Sequence, residues 1–188
     1  MTTVRVSARS MRQVFHGCEP DYIANVCKGA CCRSSTSPTG TRIALLPAEA
    51  ARFVARGLPV VDGRLEPLAG ARRCPYQGPA NLCGLHDTPD KPFGCIASPF
   101  MLTTRDTLVV RNRYRLLRCY RDGTQLAYQA FGTSLQLLFG PTEAARITAH
   151  LDAGGDDLTA DMLPTSYGHL ATLHGRPLPP DQLTLKEG

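Results

Sequence analysis

The sequence predicts an α+β fold in which short strands, one helix between two cysteine clusters and a C-terminal pair of helices frame long loops. Three observations predict it. Six of the eight cysteines fall into two groups, Cys27-Lys28-Gly29-Ala30-Cys31-Cys32 and Cys74-x8-Cys83-x11-Cys95. Proline and glycine are dense around those groups, which holds the backbone in turns. From Gly123 onward the apolar residues take up helical spacing.

In chain order, residues 1–26 show weak periodicity and read as an ordered lead-in, with His16 and Cys18 flanking Gly17. Arg33 to Gly40 is Ser, Thr, Pro and Gly, a loop composition. Thr41 to Leu46 suggests a short strand. Pro47 to Gly57 has proline in the first turn, strong helix formers and a closing glycine, which mark a helix. Val60 to Leu68 folds as a hairpin about Asp62-Gly63, a pair that suits a two-residue turn with positive φ. Arg73 to Phe100 carries Pro75, Pro79, Pro89, Pro92 and Pro99, so it runs as turns and extended segments. Met101 to Thr103 and Leu108 to Arg115 are β-prone on either side of Arg105-Asp106, the pattern of a second hairpin. Thr124 to Phe139 and Pro141 to Leu151 read as two helices packed across Gly140-Pro141. Asp152 to Asp157 lacks the ligand alternation of a calcium loop and reads as a helix end and turn. The expected organisation is a single domain, with a cysteine-cluster region at 1–122, a helical region at 123–176 packed on it and a loose tail at 177–188.

The cysteines carry the chemistry. Three or four thiolates converge only if a cation offsets their repulsion. Adjacent Cys31 and Cys32 cannot easily bridge each other, because a vicinal disulfide departs from relaxed geometry. No signal-like or membrane-length apolar run opens the chain, so the expectation is a cytoplasmic, reducing setting, where grouped cysteines bind metal more often than they pair. The domain is then stapled by metal, which compensates for a modest core: Trp is absent and aromatics are 6%.

The order Cys27-x3-Cys31-Cys32, Arg73-Cys74-Pro75-Tyr76, Cys83-Gly-Leu-His86, Lys91-Pro92-Phe-Gly-Cys95 and Ser98-Pro99-Phe100 resembles the bacterial cysteine-cluster proteins described as zinc- or iron-chelating domains. Departures are His86 where tyrosine is common, Lys91 for the usual arginine, Gly94 before Cys95, and an inverted Pro99-Phe100 pair. The resemblance spans Cys27 to Phe100 and implies metal binding more than any activity. A related cluster occurs in flagellin lysine N-methylases, which suggests one enzymatic alternative.

The expected metal ligands are Cys27, Cys31, Cys32, Cys74, Cys83 and Cys95, with Cys18, Cys119 and His86 as possible additions. Four thiolates suit zinc or an iron–sulfur cluster. No C-x2-C knuckle occurs, and the wide spacings favour an iron–sulfur cluster slightly over Zn2+. Arg111, Arg113 and Arg115 would share one face of a strand, as an anion-binding row or as a solvated edge. The net charge of +5 is spread over the chain and does not by itself indicate a nucleic-acid partner. Phosphate-loop, nucleophile-elbow and dinucleotide motifs are missing. Three functions follow: a metal-binding or electron-transfer module, a metal-dependent enzyme modifying a peptide or amine, or a zinc-stapled interaction protein.

Overall fold

Valines four and six sit on one face of the strand Thr2–Val6 and are buried, while Thr3 and Arg5 between them are not. The segment Leu158–Met162 has the same period, with Leu158, Ala160 and Met162 inward. In the computed structural model, which describes residues 1–32, 42–67, 73–86 and 88–173, these two strands pair antiparallel from Thr2↔Met162 to Val6↔Leu158. Thr2–Val6 also pairs parallel with Thr107–Val110, which forms a hairpin with Phe100–Leu102. The result is a four-stranded mixed sheet, and the protein is a mixed α+β structure.

The described chain groups into two units. One contains Met1–Val14, Ala97–Arg111 and the chain from Gln125; the other contains Phe15–Ile96 and Asn112–Thr124. The pairing of Thr2–Val6 with Leu158–Met162 puts the start of the chain in the same unit as the chain from Gln125.

In the first unit, Gly132–Phe139 and Pro141–Asp152 form the expected helical pair, preceded by a short helix at Ala127–Ala130. Gly140, at φ +79°, breaks the chain between them where a side chain would be strained, and Pro141 starts the next helix. Ala144, Ile147 and Leu151 bury one stripe of that helix. A further helix, Pro164–Thr172, was not foreseen. Glu143 docks the long helix on the sheet: it accepts from Arg146 through both oxygens, at 2.6 and 2.8 Å, and from the Asp161 N–H at 3.0 Å. Those hydrogen bonds from Arg146 hold its pKa below the usual value near 4.5, ahead of a smaller opposing effect of burial. A depressed acid contributes stability above its unfolded pKa and loses it as pH falls. Glu143→Gln is therefore expected to destabilise by under about 1 kcal/mol at pH 7, since Arg146 is half exposed, and by less at pH 3, measured by urea unfolding at both.

The Arg105-Asp106 hairpin forms, with Asp106 at φ +51°, but its second strand ends at Val110 rather than Arg115. Arg111 N–H donates to the Pro99 carbonyl at 2.9 Å, and proline has no N–H to return, so the ladder stops there. Asn112–Leu116 is a 3₁₀ turn. Arg111, Arg113 and Arg115 therefore do not form a row on one strand face. Arg111 donates to the Phe100 carbonyl, and Arg113 lies 5.2 Å from the Tyr114 ring centre.

In the second unit, Ile43–Ala44, Arg64–Leu65 and Val60–Val61 make a small antiparallel sheet in that order. The Asp62-Gly63 turn has positive φ at both residues, as its sequence requires. The helix Pro47–Ala55 covers this sheet and turns out through Gly57 at φ +73°. Leu68, the loop at 33–40 and the tail from 177 lie outside the described residues. Among the described residues no helix is long and apolar enough to cross a membrane.

Candidate functional site

All eight cysteines belong to the second unit, and all are free thiols. The first cluster is built from three tight turns. Pro20–Tyr22 opens a helical turn, Ile23–Cys27 continues it as a π-helical turn, and Ala30–Cys32 is a 3₁₀ turn. Between them Lys28 and Gly29 both take left-handed backbone, at φ +55° and +57°, which reverses the chain so that Cys27 precedes the bend and Cys31 and Cys32 follow it. The sulfurs of Cys31 and Cys32 stand 4.0 Å apart.

Gln77 locks that bend to the second cluster. It is 4% exposed, and its amide nitrogen donates to the carbonyls of Lys28, Gly29 and Asn81 at 3.2–3.3 Å. Cys74 N–H donates to the Cys32 carbonyl at 3.2 Å, which sets the two clusters side by side. Gln77 and Cys83 form an isolated antiparallel bridge, and His86 N–H returns to the Cys83 carbonyl. Cys95 sits on the short helix Phe93–Ile96. The start of that helix is held by Glu49, whose carboxylate accepts from Phe93 N–H at 2.7 Å and from Leu46 N–H at 2.8 Å. One carboxylate thus caps the helix Pro47–Ala55 and fixes the turn that carries Cys95.

The same residues meet in one packed core. Cys74 is buried with Ile43, Leu45, Phe53, Leu65 and Leu85, and Cys32, Cys83, Cys95 and Tyr76 pack against them. Tyr76 meets the Phe53 ring edge-on at 5.7 Å. Four of the expected ligands, Cys32, Cys74, Cys83 and Cys95, therefore share one apolar wall.

Backbone hydrogen bonds tie the segment around Cys119 to the segment that leads into Cys18. His16 N–H donates to the Cys119 carbonyl at 2.7 Å, and Thr124 N–H donates to the Phe15 carbonyl at 3.2 Å. The His16 ring stacks on Tyr22 at 3.6 Å, and the Tyr22 hydroxyl donates to Asp122 at 3.0 Å. These contacts lay the helical turn Arg118–Arg121, which holds Cys119, against the π-helical turn that ends in Cys27.

The thiols feel one another. Cys18 is solvent-accessible as a residue, yet protein packed around its sulfur, followed by the Cys31 and Cys27 thiols, pushes its pKa up to about 11. Burial, then Cys18, Cys31 and Cys27, takes Cys119 to about 12. Burial, then Cys74 and Cys83, raises Cys95, and burial followed by Cys83 raises Cys74. Within the adjacent pair, the hydrogen bond between the sulfurs favours a thiolate on Cys31 and a thiol on Cys32, and Arg113 and Lys91 add to the effect on Cys31. Lys91 also faces Cys18 and Cys95, and its ammonium lies 3.1 Å from His86 Nδ1. His86 is thus directed to Lys91.

Among the described residues no three His, Cys, Asp or Glu side chains stand as a group that grips a single ion. A tetrahedral ion with bonds of about 2.3 Å separates its sulfurs by about 3.8 Å. Cys31 and Cys32 meet that spacing, and no third donor among the described residues completes the set. The positioning residues Gln77 and Glu49 had no signature in the sequence, because each acts on backbone that is distant along the chain, whereas Lys91 stood in the matched motif in place of the usual arginine. Elsewhere, a concavity of about 310 Å³ in the first unit is lined by Thr3, Glu143, Arg146 and Asp161, whose polar groups already bond one another or the sheet. Compared with protein-family models, curated proteins and solved structures, the chain matches none.

Proposed function

We propose that this protein is a cytoplasmic metal-binding protein whose second unit holds an iron–sulfur cluster, or else zinc, through cysteine thiolates. The observation that carries the reading is that eight free thiols, from stretches as far apart as Cys18 and Cys119, lie in one unit, four of them on one apolar wall. Burial first, and neighbouring thiols second, raise the pKa values of Cys18, Cys95 and Cys119. A bound metal replaces those protons, so its uptake releases protons and weakens as pH falls. Lys91 and Arg113 supply positive charge beside Cys31, which suits an anionic thiolate centre. The resemblance to bacterial cysteine-cluster proteins supports the same chemistry.

Iron–sulfur is favoured on spacing. The intervals x3, x8 and x11 leave broad loops, and a cluster of several irons and sulfides spans wider sulfur separations than one ion does. Iron, sulfide and zinc analysis of anaerobically purified protein, with its visible spectrum, tests this. Brown protein with matching iron and acid-labile sulfide is the expected result. Colourless protein with stoichiometric zinc selects a zinc-stapled protein, and protein free of both metals overturns the reading.

A further inference from the structure

The stretch Arg113-Tyr-Arg-Leu-Leu-Arg-Cys-Tyr-Arg121 holds four arginines and no acidic residue. It folds as the 3₁₀ turn Asn112–Leu116 followed by the helical turn Arg118–Arg121, both in the second unit. Tyr114 anchors the first turn by pointing inward, at 6% exposure, while Arg113, Arg115, Arg118 and Arg121 are all exposed. Leu116 is exposed with them, at 79%, more than any other large apolar side chain among the described residues except Met1. A 3₁₀ turn repeats every three residues, so Leu116 stands on the same side of it as Arg113. A lone exposed leucine is ordinary on a protein surface. A leucine held out among four arginines is a combination with a specific counterpart, one that is anionic at its surface and apolar just beneath.

We propose that the segment Arg113–Arg121 docks the protein on an anionic lipid membrane, with Leu116 inserted beneath the headgroups and the arginines at the level of the lipid phosphates. A lipid surface takes both features at once: guanidinium groups pair with phosphate oxygens, and the aliphatic side chain leaves water for hydrocarbon. Nucleic acid would take the cations alone. Stacking on bases needs projecting aromatic rings, whereas Tyr114 is buried and Tyr120 is half-buried, and the four-residue turn Arg118–Arg121 is too short to lie along a major groove. The acidic neighbours do not cancel the charge. Asp122, which follows the segment, is already bonded by the Tyr22 hydroxyl and paired with Arg118. The turns around Ile23–Cys27, the element that Arg118–Arg121 touches, add Glu19, Asp21 and Lys28, so the surroundings hold five cations (Lys28 and the four arginines) against three carboxylates (Glu19, Asp21 and Asp122). The docking surface is independent of whether the thiols hold metal.

The test is co-sedimentation of the full-length protein with vesicles of phosphatidylcholine alone and of phosphatidylcholine and phosphatidylglycerol in equal parts, at low and high salt. Binding is expected only to the anionic vesicles and is expected to weaken as salt screens the arginines. Leu116→Ser is expected to weaken it about tenfold or more, the loss of one buried leucine side chain. Arg121→Ser is expected to weaken it about fivefold. Both residues are exposed, so both variants are expected to unfold in urea at the wild-type midpoint. Arg9→Ser, which removes an exposed arginine of the other unit, is expected to leave binding unchanged. Absence of binding, equal binding to neutral vesicles, or undiminished binding by Leu116→Ser overturns the proposal. So do equal losses from Arg9→Ser and Arg121→Ser, which would reduce the effect to net charge. Binding to a labelled DNA duplex in place of the anionic vesicles overturns it too and assigns the arginines to nucleic acid.

Discussion

Gly29→Ala is expected to lower the unfolding free energy by about 2–4 kcal/mol and to reduce metal loading. Two costs combine. At φ +57° an alanine carries a left-handed penalty of about 1–2 kcal/mol. Its Cβ would also lie 2.5 Å from the Gln77 amide nitrogen and 2.6 Å from the Asn81 carbonyl, closer than atoms tolerate. Gln77, whose two amide hydrogens are shared among the Lys28, Gly29 and Asn81 carbonyls, then has to give up bonds worth about 1–2 kcal/mol together. Gly57→Ala separates the two costs. Gly57 also has positive φ, at +73°, but no atom lies within 4 Å of where its Cβ would stand. Urea unfolding of both variants is the measurement. Equal losses would show that Gly29 matters only as a turn residue and that Gln77 does not clamp the two clusters.

Glu49→Ala is expected to cost about 2–4 kcal/mol, because two backbone N–H groups lose a charged acceptor and one of them is buried. The loss has two consequences along the chain: the helix Pro47–Ala55 loses its cap, and the turn that carries Cys95 loses its anchor. On the metal-binding reading, metal retention is expected to fall with it. Glu49→Gln keeps one accepting oxygen and directs an amide donor at the other N–H, so its loss is expected to be intermediate. Arg52→Ala, on the same helix as Glu49, removes an exposed ion pair to Asp90 and is expected to cost under about 1 kcal/mol. Urea unfolding ranks the three, and an Arg52→Ala loss as large as that of Glu49→Ala would contradict the assigned role of the carboxylate.

Elements whose instructions are local were legible. Pro47 and Gly57 delimit one helix, Asp62-Gly63 makes one hairpin and Gly140-Pro141 separates the helical pair, because backbone preference at those residues does not depend on distant partners. The strands Thr2–Val6 and Leu158–Met162 were not legible: five alternating residues are a weak signal, and their pairing joins opposite ends of the described chain. The arginine row failed for a related reason. A run of β-prone residues is a strand only while a partner offers hydrogen bonds, and Pro99 ends that partner.

The cysteine count, the two clusters and the turn-forming residues around them are properties of the chain itself, and they point to thiolate chemistry because charge repulsion among gathered thiolates demands a cation. Tertiary structure alone decided that Cys18 and Cys119 lie in the same unit as the other six cysteines. It also decided that Gln77 and Glu49 hold the loops in place. Each of those facts is a contact between residues far apart in sequence, and such contacts are set by packing and backbone hydrogen bonding across the folded unit, which no local pattern encodes.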